Sequence, residues 1–503
     1  MSDEPQTDDI ANQTVRGSIY SLIASVITLS LGFVRFILLL KLLLPDDFGV
    51  VTQALFFVTL ASLLRLPGLD LAYIQRPDTD EADTRAFFSL RMVLMVASLL
   101  LMAALTTTVI GPAYPGMPDL AIILLALLAV DTVKTFNSVQ EAILRRDLVF
   151  RAVSGADILS AVTSTIVAPY MAWQGYGAWS LVGEQLSGQL ARTVAFWGLF
   201  SRPWWPRLGW KKEAIDWYWR FSIKLWNNAV LTFLLDRFDD FWIGRNLGQR
   251  DLGYYSRAYE FANYPRRVIA NPILLVFYST FARLQADRLR LSRAFFRATS
   301  LMVRSSFYFS LLFVLPSPEY VALLGDKWLP MLRTFQLMII YTLLDPLSLG
   351  ASNLLIALGY PGHIVRTRVI QVVFFVPAVI LLGSWQGIEG VALAADFMVM
   401  IGVVILFWLS HRYVDYSARR LWFWPVVALG ATTAVVLLLG TLPAWQTFNI
   451  WVKILAKLLL ITLCYGGILW LVEREQIRTG WNTIWTVAQP MVAAWQKRTK
   501  SNL

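Results

Sequence analysis

The sequence predicts an all-α integral membrane protein: about fourteen transmembrane helices in two six-helix lobes around a central cavity, plus two extra C-terminal helices. Three observations predict it. Of 503 residues, 57% are hydrophobic and only 15% charged, against about 25% charged in an ordinary soluble domain. Apolar runs long enough to cross a bilayer recur along the whole chain. The chain also echoes itself at a spacing of a little over 200 residues.

Composition narrows the class first. A mean hydropathy of +0.56 leaves too few charges to coat a soluble surface of this size, whereas a bilayer accepts apolar surface outward. The balance of 44 Lys and Arg against 33 Asp and Glu gives a net charge of +11, an excess that in membrane proteins gathers in cytoplasmic loops. No soluble basic face suited to nucleic acid stands out. The single cysteine, Cys464, and the two histidines, His363 and His411, exclude a disulfide framework and a thiolate metal site and supply little for His-based catalysis. No cofactor or metal is expected.

Spans of roughly 20 apolar residues fall near 15–42, 48–73, 86–110, 118–143, 151–173, 177–200, 214–242, 254–281, 293–315, 329–357, 364–383, 387–410, 421–442 and 451–472. Pro, Gly and charged residues punctuate them, as in Leu44-Pro45-Asp46-Asp47 and Gly111-Pro112. Basic residues crowd alternate loops (Arg145, Arg146 and Arg151; Arg202, Arg207, Lys211 and Lys212; Arg412, Arg419 and Arg420), while 111–119, 174–177 and 383–390 contain none. The positive-inside rule then places both termini in the cytoplasm. The polar start, Met1 to Asn12, lacks the basic opening of a signal peptide and is expected to stay cytosolic.

The echoes organise the spans. Asp46 to Ala54 matches Arg250 to Ala258 in Asp, Gly and Ala; Gly175 to Glu184 matches Gly387 to Asp396 in Gly, Leu and an acid; Gly111 with Tyr114 matches Gly325 with Trp328. All three occur in the same order and pair spans 1–6 with 7–12, so the halves are expected to be related by an axis along the membrane normal, a geometry suited to alternating access. The expected parts are a cytoplasmic tail at 1–14, an N-lobe at 15–200, a linker at 201–213, a C-lobe at 214–411, spans 13 and 14 in 412–473, and a tail at 474–503. In that tail Trp481, Trp485, Val492 and Trp495 recur at helical spacing before Lys497, Arg498 and Lys500, the pattern of an amphipathic helix on a membrane surface.

Charges inside spans are the functional candidates, because each is costly at mid-bilayer. Arg35, Arg257, Arg266 and Arg267 are candidate substrate-binding residues. Arg35, Arg266 and Arg267 lie deepest, and the arginines exceed what the nearby acids need, which points to an anionic cargo. A guanidinium offers phosphate a planar fork of donors and keeps its charge when partly desolvated. Pro265, before the pair, is placed to interrupt the eighth span. Glu184, Asp236, Asp239 and Asp396 are candidates for coupling to a proton or sodium gradient. Asp236 with Arg237, and Asp131 with Lys134, also read as mutually neutralising structural pairs. The aromatics Trp226, Phe233, Phe238, Trp242, Tyr254, Tyr255 and Tyr259 lie at similar depth; packing accounts for them more simply than sugar stacking.

Several motifs resemble those of the polysaccharide transporter (Wzx-type flippase) family, in its WzxC/TuaB-like branch. They are Leu252-Gly253-Tyr254-Tyr255-Ser256-Arg257-Ala258 followed by Asn263-Tyr264-Pro265; Leu44 to Gly49; Phe281-Ala282-Arg283-Leu284-Gln285-Ala286-Asp287; Leu324-Gly325-Asp326-Lys327-Trp328; and Gly175-Tyr176-Gly177-Ala178-Trp179-Ser180-Leu181-Val182. The resemblance runs from about residue 12 to 470. It implies membership of the larger MOP group that holds multidrug (MATE) exporters and MurJ peptidoglycan-precursor flippases. It also implies a non-enzymatic function: flipping an undecaprenyl-diphosphate-linked oligosaccharide, for exopolysaccharide or lipopolysaccharide, alongside polymerase and glycosyltransferase partners. The alternatives are a drug/cation antiporter or lipid II flippase on the same fold. A membrane glycan polymerase or ligase fits the short outer loops poorly.

Overall fold

The computed structural model describes residues 4–77, 79–199, 204–265, 267, 277 and 280–474. The amphipathic tail expected beyond 474 and Arg266 lie outside the described residues. Among the described residues the secondary structure is helical throughout, without a strand. Its long helices are α1 (Glu4–Leu42), α2 (Pro45–Leu63), α3 (Glu81–Leu105, extended by a π-turn to Ile110), α4 (Leu120–Arg146), α5 (Phe150–Trp173), α6 (Trp179–Val194), α7 (Lys212–Asn246), α8 (Gln249–Pro265) and α9 (Arg288–Val314). They continue with α10 (Ile339–Ala357), α11 and α12 (the two parts of Pro361–Ser410), α13 (Ala418–Gly440) and α14 (Ile450–Val472).

Local chemistry sets these boundaries. Pro45 opens α2 at a position where its missing N–H costs nothing, and Asp47 Oδ2 accepts from the Leu44 amide at 2.8 Å. Asp80 and Asp83 form a reciprocal cap on α3 (2.7 and 3.1 Å). The side chains of Asp287, Ser417 and Asn449 cap α9, α13 and α14.

The 50-residue stretch Pro361–Ser410 is two spans. Gly387 interrupts it at φ +62°, ψ −139°, backbone that only glycine adopts readily. Gln371 Nε2 donates to the Met398 carbonyl at 3.0 Å. On a straight helix those residues would stand roughly 40 Å apart, so the chain folds back at Gly387.

Among the described residues nine helices are long and apolar enough to cross a membrane, Pro361–Ser410 counting once. The helices outside that set are α6, which is short, and α7, α8 and α9, which carry charges. Every one of the fourteen expected spans overlaps a helix, which is consistent with the sequence reading. Large apolar residues such as Leu100, Ile166, Leu437 and Leu471 are exposed, as lipid-facing side chains are.

The chain packs as two units, Met1–Ser256 and Arg257–Leu503. The repeat places its boundary in the 201–213 linker; packing instead carries α7 into the first unit. Phe233 and Phe241 of α7 lie against Phe56 of α2 (ring centroids 5.2 and 5.1 Å). Trp226 Nε1 donates to the Leu63 carbonyl (3.0 Å) and Tyr218 Oη to that of Asp83 (3.2 Å). Lys211 reaches Asp80 (2.9 Å) and Asp83 (3.1 Å).

In the second unit, buried ion pairs hold α14. Arg304 of α9 meets Glu473 with two hydrogen bonds (2.9 and 2.7 Å). Lys457 meets Glu319 (2.7 Å) and the Leu315 carbonyl (3.0 Å).

Candidate functional site

Charges inside the first unit have specific partners. On α1, Arg35 Nε contacts Glu184 Oε1 of α6 at 2.9 Å, both side chains being partly exposed. α5 brings the two helices together: Thr165 Oγ1 donates to the Leu31 carbonyl of α1 (3.4 Å), and Ser164 Oγ to the Glu184 carbonyl of α6 (2.9 Å). Small hydroxyl residues let three helices approach closely.

One expected pairing is corrected. Asp131 pairs with Arg65 rather than Lys134. Arg65 also donates to Ser98 (2.6 Å) and Thr135 (2.9 Å) and is buried. Residues i and i+3 share a helix face, but Asp131 is buried against α2, and Arg65 reaches it across the helix interface. Arg65 lies inside the second expected span, 48–73, and is not among the interior charges that the sequence singles out. Arg237 pairs with Asp240 (3.0 Å), one turn on, and Asp236 sits on the exposed side of α7. Asp239 is buried and accepts from Tyr255 Oη at 2.6 Å. Arg192 of α6 bridges Asp157 of α5 and Glu141 of α4.

In the second unit Arg257 lies half-buried on α8, which ends at Pro265. Arg267 Nη1 contacts Glu260 Oε1 at 2.6 Å, and its guanidinium lies 5.8 Å from the Tyr264 ring centroid. Asp396 of α12 accepts from the Tyr341 amide at the start of α10 (2.7 Å), and its other oxygen is buried without a hydrogen-bond partner among the described residues. Tyr341 Oη meets Tyr259 Oη at 2.9 Å. Of the singled-out aromatics, Phe233, Trp242 and Tyr255 are buried in packing, as the simpler reading expects.

The structure therefore modifies the electrostatic expectation: the counts imply surplus arginine, yet Arg35 and Arg267 each have a carboxylate partner. These two pairs, like Arg91 with Asp70 and Arg192 with Asp157, are more open than the sealed ones. The Arg65, Arg304 and Lys457 pairs are sealed and carry further hydrogen bonds. The Arg35 and Arg267 pairs join partly exposed groups, an arrangement that can release a guanidinium to another oxyanion.

Outside the spans, the Lys211 ammonium and the Asp83 amide hold Asp80 down to about 2. Arg288 lowers Asp415 in the same way.

Comparison with known proteins gives this arrangement its context. The profile of the family described as polysaccharide biosynthesis protein matches residues 38–333, more than half of the chain. The chain belongs to that family. The lipopolysaccharide biosynthesis protein WzxC of Escherichia coli K12 is 26% identical over 444 residues, 85% of this chain and 87% of that protein. The succinoglycan biosynthesis transport protein ExoT of Rhizobium meliloti is 26% identical over 323 residues, 63% and 64% of the two chains. Among solved structures, lipid II flippase MurJ in an inward closed conformation superposes with a TM-score of 0.70 at 14% identity, covering 92% of this chain and all of that one. That likeness establishes the fold: this polysaccharide biosynthesis family member is a multi-pass helical membrane protein of the MurJ type. The motifs at Leu44 to Gly49, at Leu252 to Ala258 and at Leu324 to Trp328 fall within the matched region.

Proposed function

We propose that this chain is a flippase that moves undecaprenyl-diphosphate-linked polysaccharide repeat units, for exopolysaccharide or lipopolysaccharide O-antigen, from the cytoplasmic to the periplasmic face of a bacterial inner membrane. Family membership and the transport and biosynthesis roles in the names of ExoT and WzxC support it. The observation that carries it is Arg35, a cation inside a spanning helix, in a partly exposed ion pair with Glu184. An arginine so placed suits a ligand with phosphate oxygens.

Arg35 takes phosphate oxygens in the first unit, and Arg257, Arg266 and Arg267 offer guanidinium groups to the same class of ligand in the second. The glycan passes with the diphosphate while the polyprenyl tail stays in lipid. Glu184, Asp236, Asp239 and Asp396 are the residues proposed for proton or sodium coupling. Both termini lie in the cytoplasm, where glycosyltransferases build the cargo; a polymerase uses it on the far side.

Replacing Arg266 and Arg267 together by Ala, and separately Arg35 by Ala, should abolish polymer output while leaving the protein inserted at normal level. Normal output from both variants would remove the diphosphate role. In a deletion strain the lipid-linked glycan that accumulates on the cytoplasmic side names the cargo.

A further inference from the structure

We propose that Lys134 of α4 and Lys224 of α7 are further binding residues, two ammonium groups that take phosphate oxygens of the guest part-way through the membrane. This rests on the flippase reading given above.

On α4 the other polar side chains from Asp131 to Arg146 all have partners. Asp131 and Thr135 meet Arg65. Asn137 donates to the Gln189 carbonyl (3.0 Å), and Gln140 accepts from the Trp204 amide (3.3 Å). Thr132 and Ser138 donate to carbonyls of their own helix. Glu141 holds Arg145 and Arg192, and Arg146 donates to the Tyr73 carbonyl. Lys134 is the exception. It is exposed, and among the described residues it has neither an ion pair nor a hydrogen bond.

Its position on the helix excludes a lipid-facing role. The exposed apolar residues Ile122, Leu125 and Ala129 lie about 120–180° round α4 from it, at about 100° per residue. Lys134 instead shares a face with Ser138, Glu141 and Arg145. A stripe as polar as that turns away from hydrocarbon.

Lys224 is its counterpart on α7. It is likewise exposed and has neither an ion pair nor a hydrogen bond among the described residues. It shares a face with exposed Arg220 and Asn227, away from the side on which Tyr218, Ser222 and Phe233 are buried.

The end of α2 sets both lysines at one level. Trp226, two residues after Lys224, donates to the Leu63 carbonyl (3.0 Å). Arg65 reaches Asp131 and Thr135, on either side of Lys134 in sequence. That level is deep: Lys134 stands about 18 Å from the Arg146 end of α4 and about 21 Å from its Leu120 end, far beyond the reach of a lysine side chain. Arg151, Arg220, Arg293, Arg297 and Arg366 also lack an ion pair among the described residues, but each lies within about 14 Å of the start of its helix. There a long side chain extends towards the headgroups.

Two ammonium groups without counter-charge at mid-membrane are disfavoured until a guest brings an anion to them. Lysine also suits a guest in motion. Its ammonium is a compact point charge on a flexible stem, so it follows a phosphate oxygen without the fixed planar fit that a guanidinium fork imposes.

The test uses the full chain in lipid nanodiscs, with farnesyl diphosphate as the probe and farnesol as its uncharged counterpart. Kd is measured for wild type, K134Q, K224Q and the double variant. Each single change should weaken farnesyl diphosphate binding about tenfold, the loss of one hydrogen bond to a charged group, and the double variant should lose more. Farnesol should bind all four alike, and K134R should bind farnesyl diphosphate as wild type does. Farnesyl diphosphate binding left intact in the double variant overturns the proposal. So does an equal loss for farnesol, which would mean that the lysines act through shape and not charge. A wild type that binds no farnesyl diphosphate sinks the flippase reading itself. Should K134Q fail to insert, K134M removes the same charge with a more apolar side chain and is read in the same way.

Discussion

Gly49 and Gly253 make reciprocal close approaches. The Cβ that Gly49 lacks would fall 1.8 Å from the Gln249 carbonyl oxygen, and that of Gly253 would fall 1.9 Å from the Pro45 carbonyl oxygen. Each glycine meets the residue four positions before the other, so the two copies of the motif contact each other with local two-fold symmetry. The Gln249 side chain adds a hydrogen bond to the Asp46 carbonyl (2.8 Å), and Arg250 pairs with Asp46 (2.9 Å).

Adding a methyl group here forces backbone against backbone, which a rotamer change cannot relieve. G49A and G253A are each expected to destabilise the protein by about 1–3 kcal/mol, the usual range for overpacking. Because both wedge the same crossing, the double variant should lose less than the sum. Thermal unfolding in detergent reads this directly.

The sealed pair of Arg65 and Asp131 gives a second expectation. D131A strands a buried guanidinium, a loss of about 3–5 kcal/mol. Replacing both residues by apolar ones of similar size, as in R65M/D131L, should recover most of it. If the double variant is no better than D131A, the pair holds more than its own two charges.

Gly387 supplies a third. Its backbone at φ +62°, ψ −139° penalises any side chain by about 1–3 kcal/mol. G387A should therefore lower thermal stability by that amount, or reshape the turn between α11 and α12. A cysteine pair at Gln371 and Met398 should cross-link in wild type and lose efficiency in G387A if the turn is reshaped.

A pH expectation comes from the loop before α3. Asp80, held at about 2, chiefly by Lys211, has an ordinary value of 3.8. A carboxylate lowered in this way favours the folded form above its ordinary value, and that contribution fades as pH falls towards 2. Carbon-13 NMR of the Asp80 carboxyl should show a midpoint near 2 in wild type and a higher one in K211A. The same midpoint in both would mean that the ammonium does not hold the loop.

How much of this was legible beforehand differs by kind. The spans were, because a run of twenty apolar residues has one stable home. The echoing motifs carry Gly49 and Gly253, but a repeat in sequence does not say that its copies touch. Gly387 fell inside an expected break. The partners of the interior charges were not. Arg35 and Glu184 are 149 positions apart, and nothing in either helix's periodicity says which face of α6 turns to α1. Arg65 and Asp131 are likewise 66 positions apart, and nothing local to either names the other. The packing of α7 with the first six spans was hidden too, because homology between repeats records ancestry and not which neighbours a helix buries itself against.

Helix α14 is pinned at two levels, by Lys457 to Glu319 and by Arg304 to Glu473, with the signs of its own charges reversed between them. The two levels are 16 residues apart, roughly 24 Å along the axis. Sliding by one turn, about 5.4 Å, would break both pairs at once and leave four charges in hydrocarbon. The helix is thus indexed against α9 and cannot act as a piston. In a thicker or thinner bilayer it must lean together with its neighbours, so changes in membrane thickness reach the second unit as a tilt.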